Sequence, residues 1–228
     1  RAAADRGIIK QICRPKKGSG FMGVDSPKTA IVLFPHFCNY EISVLMEVLA
    51  LAEKPVTFIA SSLASLRCEE GMQAVADEAF ADCDVDACDS LVITGSYAEG
   101  LYHNFADAQL HALIRRFHAK KKLIAAISSG PMVLCKASIM GDTRFVAGVE
   151  REWFLSDPKM RLSAEQMRGL IDVKDMEAMA ERGEAEIDYV LEDNILTAVG
   201  WKFREWALAF GRALGLDVWP CSFGKDLA

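Results

Sequence analysis

The chain has 228 residues, 51% of them hydrophobic and 25% charged, with a net charge of −6. That composition suits a single globular domain, or one domain with an appendage, with enough apolar material for a sizeable core. It excludes a transmembrane helix, since no apolar run approaches the roughly 20 residues a bilayer demands, and the negative balance argues against a nucleic-acid partner.

The charge is uneven. Residues 1–27 hold six basic side chains (Arg1, Arg6, Lys10, Arg14, Lys16, Lys17) against Asp5 and Asp25, so this leader is near +4 and the body near −10. A basic leader is a targeting remnant or an arm that packs on the body, and it is given no catalytic role. The expected compartment is the cytoplasm, with an organelle left open by the leader. The seven cysteines (13, 38, 68, 83, 88, 135, 221) form no C-x-x-C pair and no ligand-spaced cluster with histidine. Free thiols in a reducing compartment are expected, with no metal site and no cofactor.

From residue 30 onward, strand and helix patterns alternate. Ala30-Ile31-Val32-Leu33-Phe34 is an unbroken apolar run ending at Pro35, the pattern of a strand buried on both faces. Ile42, Leu45, Val48, Leu49 and Ala52 then form a helical stripe closed by Pro55. Val56–Ala60 reads as a second buried strand. The stretch 61–89 is irregular and acidic, with one short strand expected near 73–76. Ser90–Thr94 is a third strand opening into Gly95-Ser96. Asn104 is the expected cap of a helix whose Leu110, Leu113, Ile114 and Phe117 face the core, leaving His111 and His118 on its surface.

Lys122–Ile127 is a fourth strand, running into Ser128-Ser129-Gly130-Pro131 and a helix from about Gly130. Residues 150–186 are charged and read as a helical insertion or cap. Glu192-Asp193-Asn194 is a turn between strands 187–191 and 195–199, and a last helix runs from Trp201 to Leu214. Such alternation predicts an α/β fold: a mainly parallel sheet sandwiched by helices on both faces. Ligands of these sheets bind at the carboxyl ends of the strands, so the loops 35–41, 95–97 and 128–131 are where a site belongs.

The strand–Ser128-Ser129-Gly130-Pro131–helix junction is the strongest local signal. A residue on a sharp strand-to-helix turn is pushed clear of the sheet, and the backbone N–H groups that follow point at whatever it attacks. Gly130 allows close packing and Pro131 suits a first helical turn. The same residues equally fit a plain β–α turn. Gly95-Ser96 offers either a second oxyanion donor or a tight turn. Glu41, at the start of a helix, is either a proton partner for residue 128 or a first-turn glutamate favoured by the helix dipole.

Residues 28–216 resemble the PfpI/ThiJ superfamily, which includes the Parkinson-disease protein deglycase, cofactor-free glyoxalases, isonitrile hydratases and an archaeal intracellular protease. The resemblance rests on Ile31-Val32-Leu33-Phe34 with Glu41 downstream, on Leu91–Ser96, on Leu123–Pro131 against the family's A-I-C-x-G-P, and on Asn194–Ala198. It implies a flavodoxin-like, class I glutamine-amidotransferase-like domain over 28–228 and an assembly of two or more identical subunits. It further implies a small-molecule ligand, Ser128 at the nucleophile position, Glu41 as its acid partner, and Gly95, Ser96 and Ser129 around an oxyanion pocket.

Three departures stand out. Serine replaces the family's reactive cysteine. Many members place a histidine after the strand that follows the elbow helix, where this chain reads Phe145-Val146-Ala147-Gly148. Ser96 replaces a family glycine. His36, Cys38 and His103 are expected on loops at the pocket rim, where a histidine could substitute. A serine hydroxyl cannot be ionised as a thiol can and needs a base, so three readings stay open. The chain is a hydrolase, amidase or glyoxalase-type enzyme using Ser128, a silent member that binds a ligand or a protein partner, or an enzyme using the Cys38 thiol.

Overall fold

The computed structural model describes residues 26–218, and the basic leader therefore falls almost entirely outside the described residues. The alternating apolar runs become β1 (Lys28–Val32), β2 (Val56–Ala60), β3 (Leu66–Arg67), β4 (Gln73–Ala74), β5 (Glu78–Ala79), β6 (Cys88–Ile93), β7 (Leu123–Ile127), β8 (Phe145–Val146), β9 (Leu170–Ile171), β10 (Val190–Glu192) and β11 (Ile195–Ala198). Seven of them form one sheet in the order β10-β11-β7-β6-β1-β2-β5, parallel throughout except for the antiparallel β10–β11 hairpin turned at Asp193. The chain is α/β, with helices on both faces.

The helices are α1 (Ser43–Leu51), α2 (Ala98–Ala106), α3 (Ala108–Ala119), α4 (Pro131–Lys136), α5 (Arg151–Ser156), α6 (Val173–Glu181) and α7 (Phe203–Ala213). Alternate strand residues feed two cores. Ala30, Val32, Leu91, Ile93 and Ile124 pack on one side with Leu113, Ile114 and Phe117 of α3. Ile31, Val92, Ala125 and Ile127 pack on the other with Leu45 and Leu49 of α1 and Trp206 and Phe210 of α7. Both faces are covered, which is why these strands are continuous hydrophobic runs rather than alternating ones.

Several local expectations change. Asn104 lies inside α2 and is buried; the cap of α3 is Asp107, whose carboxylate accepts from the Gln109 and Leu110 N–H groups. His111 is 9% exposed, its Nε2 2.8 Å from the Asn104 carbonyl oxygen, because its face of α3 turns inward. The 150–186 segment is only partly helical: α5 and α6 flank β9, which pairs with β8. Asp172 starts α6 with a reciprocal capping box to Asp175. Among the described residues no helix is long and apolar enough to cross a membrane, and no cluster of three or more His, Cys, Asp or Glu side chains is placed to hold a metal.

Candidate functional site

Strand order reverses around β1: β2 lies on one side of it, and β6, β7 and β11 follow on the other. The chain segments leaving β1, β6, β7 and β11 therefore emerge side by side at the carboxyl edge, the switch-point position at which such sheets bind ligands. The first two are zipped together. Phe37 and Ser96 form an isolated antiparallel bridge, and the Cys38 N–H donates to the Gly95 carbonyl at 3.1 Å. All three expected loops thus meet in one place.

Ser128 follows β7 with φ of 61°, in the left-handed region that side-chain-bearing residues seldom adopt. Its backbone is held there from both sides: its N–H donates to the Ala198 carbonyl at 2.8 Å, and its carbonyl accepts from the Gly148 N–H at 2.9 Å. Gly130 makes the turn feasible. A methyl group at that position would lie 2.8–2.9 Å from the carbonyl oxygens of Ile93, Thr94 and Ile127. The residue that enters the cavity is therefore set by packing of the backbone rather than by α4, which is a short six-residue helix.

Glu41 sits in the short 3-10 turn Tyr40–Ile42 before α1 and is 1% exposed. Its Oε2 accepts the Gly95 N–H at 2.6 Å. A Cβ on Gly95 would stand 2.7 Å from Ser128 Oγ and 3.1 Å from Glu41 Oε1, so carboxyl and hydroxyl converge on the space that glycine leaves open. Burial pushes the Glu41 pKa up to about 8, against the opposing hydrogen bonds from Gly95, Ser128 and Cys38. At neutral pH Glu41 is therefore mostly a neutral acid, a hydrogen-bond donor rather than a base.

The neighbouring amides are occupied. Gly95 gives its N–H to Glu41, and the Ser96 N–H donates to Ser129 Oγ at 3.0 Å, while that hydroxyl donates back to the Ser96 carbonyl at 3.1 Å. Of the amides of Gly95, Ser96, Ser128 and Ser129, that of Ser129 alone has no acceptor among the described residues. Cys38 Sγ donates to Glu69 Oε2 at 3.2 Å, and burial, followed by the Glu41 and Glu69 charges, raises its pKa far above neutrality. A thiolate at Cys38 is thereby disfavoured.

A cavity of about 390 Å³ opens above these groups, and Cys38, Glu41, Ser96, Ser128 and Ser129 all line it. The two expected rim histidines do not. His36 lies beside Glu99, with 3.7 Å between Nε2 and Oε2, and outside the cavity wall. His103 is an exposed residue of α2, not of a loop, and likewise contributes nothing to the wall. Tyr40 and Tyr97, inside the expected loops 35–41 and 95–97 but not singled out there, also line the cavity, as do Glu69 and Trp153, which sequence reading missed. Glu69 arrives on the small β3–β4 hairpin and Trp153 on α5, the one wall residue that the charged segment contributes; neither belongs to a motif that sequence could flag.

No curated protein sequence matches the chain. Among solved structures, a two-domain protein of Anabaena variabilis containing DJ-1/ThiJ/PfpI-like and ferritin-like domains aligns with a TM-score of 0.67 at 16% identity, over 84% of this chain and 49% of that one. The chain thus spans about half the length of that relative. Drosophila melanogaster DJ-1beta aligns with a TM-score of 0.65 at 20% identity, over 83% of this chain and 90% of its own. A ThiJ/PfpI domain protein of Brachyspira murdochii aligns with a TM-score of 0.65 at 16% identity, over 85% and 98%. At these identities the structures speak to the fold. Family membership comes from the match of residues 27–212 to a family model, by which the chain belongs to the DJ-1/PfpI family.

Proposed function

We propose that this chain is a catalytically silent family member that binds a small molecule in the cavity above Ser128. The observation that carries the reading is the lack of a base for Ser128. A serine needs a group to take its proton. Glu41, its acidic neighbour, is mostly protonated at neutral pH, and among the described residues no histidine, lysine or arginine lines the cavity. The internal Ser96–Ser129 pairing supports the same reading, because it occupies an amide that would otherwise face an oxyanion.

The opposing reading, Ser128 as a working nucleophile, draws on its strained backbone and on the free Ser129 N–H. Turnover of glyoxals and of simple amides by the chain and by Ser128→Ala separates the two. The expected result is no turnover by either protein. Turnover by the chain that disappears in Ser128→Ala would overturn the proposal.

A further inference from the structure

The walls of the cavity carry an unusual charge balance. Tyr40, Tyr97 and Trp153 contribute aromatic surface, and all are at least partly exposed, at 44%, 72% and 36%. Glu69 supplies a carboxylate, whereas among the described residues no lysine, arginine or histidine lines the cavity. Of the basic groups two residues from a wall residue, His36 lies beside Glu99, Arg67 donates to the Gly71 carbonyl at 2.6 Å, Arg151 reaches the Leu170 carbonyl at 2.6 Å and Asp175 at 3.2 Å, and His103 is exposed on α2. Lys202, beyond the end of β11, is paired with Glu186 and Asp188.

Glu69 is not saturated. One oxygen accepts the Tyr97 N–H at 2.7 Å and the other accepts the Cys38 thiol at 3.2 Å. An ionised carboxylate offers about four acceptor positions, so two remain. The two bonds, from the paired segments that leave β1 and β6, fix its orientation. Glu70, next in the chain, accepts the Asn39 and Tyr40 N–H groups and does not line the cavity.

From this arrangement we infer that the cavity takes a small organic cation, a protonated amine seated between Glu69 and the Tyr97 and Trp153 rings, and discriminates against carboxylates and phosphates. The inference rests on the proposed binding role and names its ligand class. Aromatic faces attract ammonium groups through their ring quadrupoles, and the attraction grows as the site is desolvated. An anionic ligand would meet like charge with no compensating cation, which is how a binding site rejects a competitor. The volume lies within the usual range for small-molecule sites, roughly 300–1,000 Å³.

The test is a calorimetric titration of the full chain with three isosteric probes: benzylammonium, benzyl alcohol and benzoate. Benzylammonium is expected to bind about tenfold or more tightly than benzyl alcohol, with benzoate weakest, and raised salt is expected to narrow that spread. Glu69→Gln is expected to abolish the ammonium advantage while leaving benzyl alcohol binding unchanged. Should Glu69→Gln fail to fold, Tyr97→Leu, at an exposed position, is expected to weaken benzylammonium selectively. Benzoate binding as tightly as benzylammonium, an ammonium advantage that survives both substitutions, or no benzylammonium binding would each overturn the inference. Tight binding of benzyl alcohol or benzoate would leave the binding role standing, whereas turnover through Ser128 would remove that role without altering the charge ranking.

Discussion

Ser96 and Ser129 close on each other across the ends of β6 and β7, backbone N–H to hydroxyl at 3.0 Å and hydroxyl to carbonyl at 3.1 Å. The pairing answers a packing question and a chemical one together. It fixes two strand-end turns against each other, and it spends on a side chain the amide that an oxyanion would need. Ser129→Ala leaves the Ser96 N–H and carbonyl without that partner. The expected loss is about 1 kcal/mol of stability, measured by urea unfolding, because Ser96 is half-buried and water can replace part of the bond. In a Ser128→Cys background the same change is expected to raise any glyoxal turnover, since the amide is then free. Unchanged stability together with unchanged turnover would show that the pairing is incidental.

Glu41 makes the fold sensitive to pH. Its carboxyl has a pKa of about 8 in the folded chain, raised chiefly by burial, whereas in the unfolded chain it titrates in the ordinary range near 4.5. The folded state therefore holds a proton that the unfolded state releases. This group's contribution to stability is fully present below about pH 4.5 and is lost progressively up to about pH 8, at no more than about 1.4 kcal/mol per pH unit. Glu41→Gln mimics the protonated acid, with an oxygen for Gly95 and a donor for Ser128. The variant is expected to match the parent near pH 4.5 and to be more stable at pH 8, by a few kcal/mol on the order set by linkage. Thermal melts across that window check it, and a constant difference at all pH values would contradict the assignment.

The distribution of what sequence revealed follows from where the physics is local. The strands were legible because burial on both faces forces unbroken apolar runs, as at Ala30–Val32 and Leu123–Ile127, both buried along most of their length. Ser128, Ser129 and Gly95 were singled out by strand-end patterns that equally fit plain turns, and it was the family resemblance that joined them with Glu41 as one candidate site. The walls were not legible. Glu69 reaches the cavity on a two-residue-strand hairpin, and Trp153 on a six-residue helix. Their positions depend on long-range packing that leaves no periodicity. His103 and His111 show the same limit from the other side. The chain breaks at Asp107 rather than at Asn104, which places His103 on an exposed helix face and turns His111 inward.

Glycine requirements around the elbow differ sharply between positions. At Gly130 a Cβ would press on three backbone carbonyl oxygens that cannot move independently, whereas at Gly148 the nearest heavy atoms stand 3.7 Å away. Gly130→Ala is expected to cost about 3 kcal/mol, as an overpacked rigid site does, and Gly148→Ala less than about 0.5 kcal/mol. Gly95→Ala, at a position that does not itself line the cavity, would set its Cβ 2.7 Å from Ser128 Oγ and is expected to displace that side chain and weaken ligand binding. Denaturant midpoints of the first two and calorimetry on the third decide these cases. Equal costs at 130 and 148 would refute the backbone account of the turn.

The space beside Gly148 allows the missing base to be restored. A Cβ there would sit 3.8 Å from the Ser128 Cα with no clash, which places the start of a side chain at 148 beside the elbow. Ser128→Cys alone puts a thiol beside a mostly neutral Glu41, with no cation among the described wall residues to favour its ionisation. Adding Gly148→His supplies a group that stabilises the thiolate as an ion pair. The double variant is expected to react with iodoacetamide at pH 7 about tenfold faster than Ser128→Cys, with the midpoint of its rate–pH profile moved downward. The five described native cysteines are buried, so peptide mapping can assign the label to residue 128 and separate it from Cys13 and Cys221, which lie outside the described residues. Gly148→Asn, of similar reach but without a titratable ring, is expected to leave the rate of the cysteine variant unchanged. Equal rates for the histidine and asparagine versions would mean that position 148 does not address the elbow.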